Sequence, residues 1–373
     1  MKIFKIRSIF FQLPNIIFRR NFRFTFELIP YEVKGLRLKK IINFFIAGLN
    51  QYILPSIPLG YPVIAQVEPA NICNLSCPLC YTTSKNNSRP RGMLPFNTFK
   101  KFIDEVGDYL LFIVLWNWGE PFLNPDIFRI ISYAKSKNIV VHSSTNGNLN
   151  FDDQKAEKLV DSGLDSLVFA VDGATQETYS KYRIGGNLDQ VLANIRTIIS
   201  VKKRKGSETP RLNFRIVVSR HNEKELPLIR KIAEDLEVDF LTFKTMSMIA
   251  EFGENLDSTY VPENMKYRMY EYESKSFKRK QRSFTCMRPW KRVTMDALGE
   301  IIPCEYEYKN LHSFGSLSTE KSVISVWKGK VAEDFRKKFN IGNNDFYLCK
   351  DCVYKNMVDD DCTVEKINTL PSN

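Results

Sequence analysis

The sequence predicts an α/β fold built on a parallel sheet, and three observations carry that prediction. From residue 63 onward, apolar runs of strand length alternate with amphipathic stretches of helical period. Six such strands separated by helices argue for parallel pairing through right-handed crossovers. The residue clusters that carry chemistry fall just after strands, where parallel α/β sheets place their sites.

Val63–Pro69 is the first expected strand. Phe96–Leu110 follows as a helix, with Phe99, Phe102, Ile103 and Val106 on one face. Leu111–Trp118 is a continuous apolar run, the kind found in strands buried on both faces. Helix Pro125–Lys137 leads to strand Ile139–Ser144, and helix Asp152–Ser162 to strand Ser166–Val171. Thr175–Tyr182 and Leu188–Arg204 are helical, and Leu212–Ser219 is a strand. Helix Glu223–Leu236 precedes a sixth strand, Phe240–Met248. A polar, Tyr-rich stretch over 251–283 then reads as a linker. Beyond it, Val293–Met295 and Ile301–Cys304 flank a Gly-containing connection as a hairpin, and Trp327–Phe339 reads as a helix. The chain thus divides into 1–60, a main unit over 61–250, the linker, and a cysteine-bearing unit over 284–373.

The first 60 residues are unlike the rest. The formal net charge is +12, and ten Lys/Arg against Glu27 and Glu32 place +8 of it in this segment. The segment is also rich in Phe. Such a stretch suits the headgroup region of an anionic membrane, where each basic residue adds about 1 kcal/mol. It equally suits Phe side chains packed on the main unit beneath solvated charges, and both readings stand open. A nucleic-acid arm is not expected, because the aromatics are too many and too interleaved with aliphatics. Ile41 to Ile57 is the most apolar run, but Asn43, Asn50, Gln51 and Pro55 interrupt it, so no membrane-spanning helix is expected. No signal peptide is read in the first 30 residues.

Seven of the eight cysteines fall in two arrays and read as metal ligands rather than a disulfide framework, which implies a cytoplasmic, low-oxygen setting. Cys73, Cys77 and Cys80 form C-x3-C-x2-C directly after the first strand. In a chain of this composition, chance would supply roughly 0.004 such triplets. Clustered thiolates select an iron–sulfur cluster, zinc or copper(I), and zinc would want a fourth ligand nearby. No Cys or His follows until His142. Three thiolates on a [4Fe–4S] cluster leave one iron open. In the second array Cys286 and Cys304 precede a Cys349-x2-Cys352 pair, four thiolates that would close a metal site completely. Spacing alone leaves zinc and iron–sulfur both open there.

The C-x3-C-x2-C array after a first strand resembles the signature of the radical S-adenosylmethionine (AdoMet) enzymes. The resemblance sharpens the fold to a partial (β/α)6 TIM-like barrel. It implies a [4Fe–4S] cluster on Cys73, Cys77 and Cys80 whose open iron binds AdoMet, with Leu79 where an aromatic is frequent. Trp118-Gly119-Glu120-Pro121 looks like the family's Gly-Gly-Glu motif, with Trp118 for the first glycine, and implies contact with the AdoMet amino group. Thr145-Asn146-Gly147 and Ala170-Val171-Asp172-Gly173 end the next two strands. In relatives the former lies near the AdoMet ribose. Asp172 either bonds ribose or substrate, or caps the helix near Thr175, with capping favoured. Arg183, beside Gly185 and Gly186, suits the AdoMet carboxylate or is a solvated residue in a turn. The second array, with Pro-Trp after Cys286 and Gly299 before Cys304, is similar to the SPASM/twitch extension. It implies an auxiliary [4Fe–4S] cluster on Cys286, Cys304, Cys349 and Cys352, with Cys362 left out.

The resemblance therefore implies a radical AdoMet oxidoreductase. It would take a low-potential electron donor of flavodoxin or ferredoxin type, abstract hydrogen from a peptide, sugar, aminocyclitol or lipid-linked substrate, and pass one electron to the auxiliary cluster in a two-electron oxidation or cross-linking. The basic aromatic N-terminus tilts the substrate towards a glycan- or lipid-related one. A peptide-modifying maturase is the alternative within the family, and it predicts a winged-helix recognition domain. A zinc-stabilised adaptor for membrane or RNA is the alternative outside it. Peripheral membrane contact through residues 1–60 accompanies the leading reading.

Overall fold

The computed structural model describes residues 6–84, 87–247, 259–273, 280, 282, 286–317, 321–339, 345–350, 352–355, 357 and 362–367. About half of the expected linker, and Met248 at the end of the sixth expected strand, lie outside them.

Six parallel strands form where the apolar runs predict them: β3 (Ile64–Val67), β4 (Phe112–Leu115), β5 (Val140–Thr145), β6 (Ser166–Ala170), β7 (Arg211–Val218) and β8 (Phe240–Thr245). They pair in sequence order, as right-handed crossovers through α3 (Phe96–Val106), α4 (Ile127–Ser136), α5 (Asp153–Asp161), α6 and α7 (Gln176–Tyr182, Leu188–Lys205) and α8 (Leu226–Asp235) require. The molecule is a partial TIM-like barrel. Strand alternation splits the core into two layers. Ala65, Val67, Ile113, Leu115, Val141 and Leu241 face the helices, while Ile64, Phe112, Val114, Val140 and Phe240 face inward.

The cysteine-bearing extension does not stand apart from this sheet. β9 (Val293–Met295) pairs in parallel with β3, and β10 (Glu300–Ile302) and β11 (Gly315–Ser316) continue outward antiparallel. At the opposite edge β12 (Cys362–Lys366) lies antiparallel to β8, giving one sheet of ten strands among the described residues. The helix expected over Trp327–Phe339 is two, Val323–Trp327 and Lys330–Lys338. They break at Gly329, where a Cβ would sit 2.3 Å from the Ser325 carbonyl oxygen.

Residues 6–60 pack beneath the barrel. After α1 (Ile6–Ile17), β1 (Phe22–Phe26) and β2 (Ile29–Val33) form a hairpin, followed by α2 (Leu38–Ile53). Phe22, Phe24, Tyr31 and Phe44 join the inward residues at the start of the barrel strands, with Phe24 5.2 Å edge-on to Phe112. Each such aromatic pair adds about 0.5–1.5 kcal/mol beyond its burial. Lys40 on α2 is buried, and its ammonium donates to the carbonyls of Leu110 (2.7 Å), Lys137 (2.9 Å) and Asn138 (2.8 Å). Three N–H groups meet three acceptors, which pins the helix to the barrel. The asparagines that interrupt the apolar run are structural too. Asn43 bonds both backbone groups of Tyr61, and Asn50 both of Leu59. Among the described residues no helix is long and apolar enough to cross a membrane.

Candidate functional site

The carboxyl ends of the strands surround a cavity of about 300 Å³. It is lined by Cys73, Cys77 and Cys80 from the loop after β3, by Gly119 and Glu120 after β4, by Thr145 and Asn146 at β5, and by Arg183 after α6. Leu79 and Pro121 also face it. Ten of the eleven residues proposed for the first site therefore line one space, although they span over a hundred positions of sequence. Only Asp172 stands back, as a support.

Each is placed by local chemistry. Gly119 has φ +92°, and a Cβ there would sit 2.4 Å from the Ala70 carbonyl oxygen and 2.8 Å from that of Ile72. The close approach to the cysteine loop demands glycine, and it lets the Glu120 N–H donate to Ile72 O at 2.8 Å. The Glu120 carboxylate is buried and accepts from the N–H groups of Asn146 (2.7 Å) and Phe122 (3.1 Å). Burial pushes its carboxyl above the usual range against those bonds. Trp118, at the position of the absent first glycine, has a job of its own. Its Nε1–H donates to Glu305 O at 2.9 Å, which ties the barrel to the residue after Cys304.

The sulfurs sit among donors. Leu75 N–H points at Cys73 Sγ from 3.5 Å, Asn146 Nδ2 from 3.6 Å, and Arg183 Nη1 reaches Cys77 Sγ at 3.7 Å. Burial pushes the Cys73 thiol up to about 11 and raises that of Cys77, with Arg183 opposing the latter. Arg183 is not a solvated turn residue. Its Nε donates to Asp172 Oδ2 at 2.6 Å, while Asp172 Oδ1 accepts from Val217 N–H at 2.6 Å. Asp172 therefore does not cap the helix after β6. Thr175 does, accepting from Thr178 N–H.

In the extension, Cys349 is within electrostatic reach of Cys304, Cys286 and Cys352. Burial pushes the Cys304 thiol up to about 12 and raises those of Cys349 and Cys352, while Arg288 works to lower Cys304 and Cys352. Arg288 is fixed by Glu305 (Nε to Oε1 3.1 Å) and lies 4.0 Å from the Tyr354 ring centroid. Buried and half-buried thiols facing N–H donors and a guanidinium are a donor set that fits iron–sulfur groups at both places. Among the described residues no three His, Cys, Asp or Glu groups are close enough together to hold one metal ion.

Sequence reasoning missed Glu68, at the end of β3. It is fully buried, pairs with Arg89, and accepts from Trp118 N–H (3.0 Å) and Ala297 N–H (3.1 Å). A charged residue ending an apolar run was its only signal. It joins barrel, motif loop and extension at one carboxylate.

A family model described as the radical SAM superfamily matches residues 67–232, and one described as an iron–sulfur cluster-binding domain, SPASM, matches residues 286–353. The chain is 33% identical over 165 residues to an AdoMet-dependent heme synthase of Methanosarcina barkeri, covering 44% of this chain and 45% of that protein. It is 22% identical over 320 residues to a tungsten-containing aldehyde ferredoxin oxidoreductase cofactor-modifying protein of Pyrococcus furiosus, covering 79% and 88%. The chain thus spans less than half the length of the heme synthase and most of the second relative. Streptococcus suis SuiB, solved bound to S-adenosylmethionine, shares the fold with TM-score 0.55 at 15% identity, covering 85% of this chain and 75% of that one.

Proposed function

The chain belongs to the radical SAM superfamily and carries a C-terminal SPASM domain, and from that premise we propose that it is an oxidoreductase acting on a glycan- or lipid-related substrate. Its cofactors are a [4Fe–4S] cluster, AdoMet and an auxiliary cluster. When bound, the first cluster supplies the electron that cleaves AdoMet to a hydrogen-abstracting 5′-deoxyadenosyl radical, and the auxiliary one takes up the electron an oxidised substrate gives away.

The observation that carries the reading is the convergence of Cys73, Cys77 and Cys80 with Glu120, Asn146 and Arg183 on one cavity. In our reading the three thiols hold the first cluster. The N–H groups of Leu75 and Asn146 stabilise charge on Cys73 sulfur. Glu120 presents its carboxylate to the AdoMet amino group, and Asp172 aims Arg183. Leu79, Trp116, Trp118, Val217 and Met246 wall the cavity and exclude water. Cys286, Cys304, Cys349 and Cys352 hold the auxiliary cluster with no position left open. This arrangement favours net two-electron oxidation or cross-linking. The reductant is of flavodoxin or ferredoxin type, and the setting is cytoplasmic, with contact at an anionic membrane.

Two features favour a glycan- or lipid-related substrate over a peptide. Residues 20–36 are committed to closing the barrel floor, not to the winged-helix domain that a peptide-modifying maturase predicts. The outer side of α2 exposes Leu38, Ile42, Phe45, Ile46, Leu49 and Ile53, a stripe suited to a lipid surface.

Anaerobic reconstitution followed by reduction in the presence of AdoMet tests the core of the proposal. About eight irons per chain and release of 5′-deoxyadenosine are expected. Zinc retained in place of iron, with AdoMet uncleaved, would establish the adaptor instead.

A further inference from the structure

Two turns of the cysteine-bearing extension are built alike. Cys304 and Cys352 are each followed two residues later by a tyrosine, Tyr306 and Tyr354. The backbone N–H groups of these tyrosines turn back to the Cys304 and Cys352 thiols, and their rings meet edge-on with centroids 5.6 Å apart. Arg288 sits against both turns. It begins the short helix Arg288–Lys291, two residues after Cys286. Its Nε–H donates to the Glu305 carboxylate, 3.1 and 3.2 Å from the two oxygens, and its guanidinium carbon lies 4.0 Å from the Tyr354 ring centroid. One cation is thus fixed by three points, each within two residues of a different cysteine.

Glu305 does not absorb this charge alone. Arg292 pairs with the same carboxylate, so two guanidinium groups share one anion. The Glu305 backbone carbonyl accepts from Trp118 Nε1 (2.9 Å) and Asn117 Nδ2 (3.2 Å), which holds the residue in place from the barrel side. Glu307, the other acid of this loop, is buried, accepts from the Tyr347 hydroxyl and Leu311 N–H, and has its carboxyl raised by burial. The first array is arranged differently. There Arg183 reaches Cys77 sulfur but is matched by a carboxylate of its own, Asp172, at 2.6 Å. The Arg288 side chain is only 25% exposed, so solvent screens it in part. A cation held beside thiolates favours the state that carries more negative charge.

We propose that the Arg288 guanidinium, aimed by Glu305, makes the auxiliary cluster on Cys286, Cys304, Cys349 and Cys352 easier to reduce. Uptake of one electron adds one negative charge at the array, with no bond made or broken, and the neighbouring cation offsets that charge. The inference rests on the functional reading above, in which an oxidised substrate supplies this electron. In the test a low-potential chemical reductant supplies it.

The test is a reductive titration of the reconstituted protein, followed by electron paramagnetic resonance at set potentials. Added AdoMet separates the two signals, because only the cluster with an open iron responds to it. Arg288→Met should make the AdoMet-insensitive signal about tenfold harder to reduce, a downward shift of about 59 mV for one electron. The AdoMet-sensitive signal should move less than twofold. Arg288→Lys keeps the charge and should return the potential to within threefold of wild type. Glu305→Gln keeps an acceptor for Arg288 but removes the anion, and should shift the same signal upward about threefold. If Arg288→Met loses its auxiliary iron, the direction of the Glu305→Gln shift decides alone. A potential within twofold of wild type in Arg288→Met overturns the proposal. An equal fall in Arg288→Lys does so too, since shape and not charge would then be the cause. Zinc in place of auxiliary iron in the wild-type protein overturns the functional reading and this inference together. An auxiliary potential insensitive to Arg288, in a protein that releases 5′-deoxyadenosine, counts against Arg288 alone.

Discussion

The two ends of the barrel solve different problems. At the carboxyl ends of the strands, reactive groups come from short stretches: three cysteines within eight residues, Gly119 beside Glu120, Thr145 beside Asn146. At the other end, the groups that matter meet across the whole chain. Tyr31 and His142 are 111 residues apart, and Glu27 reaches up from that end to Lys244, 217 residues away in the cavity wall. The upper end needs ligands at fixed local spacing and neighbours that donate to sulfur. The lower end needs a dry charge balance, which any two distant residues can supply once the fold brings them together. The comparison teaches that motif density and chemical importance are separate quantities.

The sharpest way to probe it is to remove one group from each end. Cys77→Ala takes a thiol from the upper end, where the surrounding packing is made by other residues. Iron in the first cluster and 5′-deoxyadenosine release should fall to background, with the denaturation midpoint shifted little. Iron assay beside thermal unfolding checks this, and a collapse of the fold would erase the contrast. Glu27→Ala works in the opposite sense. It strands Arg215 and Lys244 as buried charges without their carboxylate, and breaking a buried pair from one side costs about 3–5 kcal/mol. Chemical denaturation should register that loss. A change below about 1 kcal/mol would mean that water or another group neutralises the floor.

A step smaller is Lys40→Met. The substitution is close in length but removes three N–H donors from the carbonyls of Leu110, Lys137 and Asn138. Leaving buried acceptors without partners costs about 1–3 kcal/mol. Because Lys40 lies on α2, the loss should appear as faster amide exchange in that helix ahead of the barrel strands, which hydrogen-exchange mass spectrometry reads directly.

These contrasts also explain what the sequence made legible. The six barrel strands and their crossover helices were visible because each buries a periodic apolar pattern, and their ends moved by only a few residues. Leu111–Trp118 was read too long because its last residues leave the sheet, where Trp118 N–H bonds Glu68. The N-terminal hairpin escaped notice although Phe22-Arg-Phe-Thr-Phe26 alternates as a strand should. Its Glu27-Leu28 turn carries neither Asn nor Gly, so the strongest local hairpin signal is missing. Its conformation is set by the charges waiting in the barrel. The edge strand Cys362–Lys366 and the joining of the extension to β3 were likewise invisible, because pairing between distant segments leaves no local mark.

The smallest effect on stability, and the clearest on location, is expected from the outer side of α2. Ile42 and Leu49 are exposed one helical face away from the buried Lys40 and Phe44, so neither contributes to the core. Exposed substitutions of this kind change stability by about 0.5 kcal/mol or less. A membrane, by contrast, would feel them strongly, since each exchanges apolar contact for a charge repelled by anionic headgroups. Ile42→Glu combined with Leu49→Glu should therefore leave AdoMet cleavage and the unfolding midpoint near wild type. The pair should also abolish co-sedimentation with vesicles of mixed anionic and neutral phospholipid. Raising salt should weaken the wild-type association through the basic residues flanking the stripe, Arg37 and Lys39, whose own pairing to Asp108 (3.9 and 3.4 Å) is already solvent-exposed and weak. Unchanged sedimentation of the double variant would place the stripe among ordinary exposed apolar residues and leave the hairpin below the barrel as the working part of the first 60 residues.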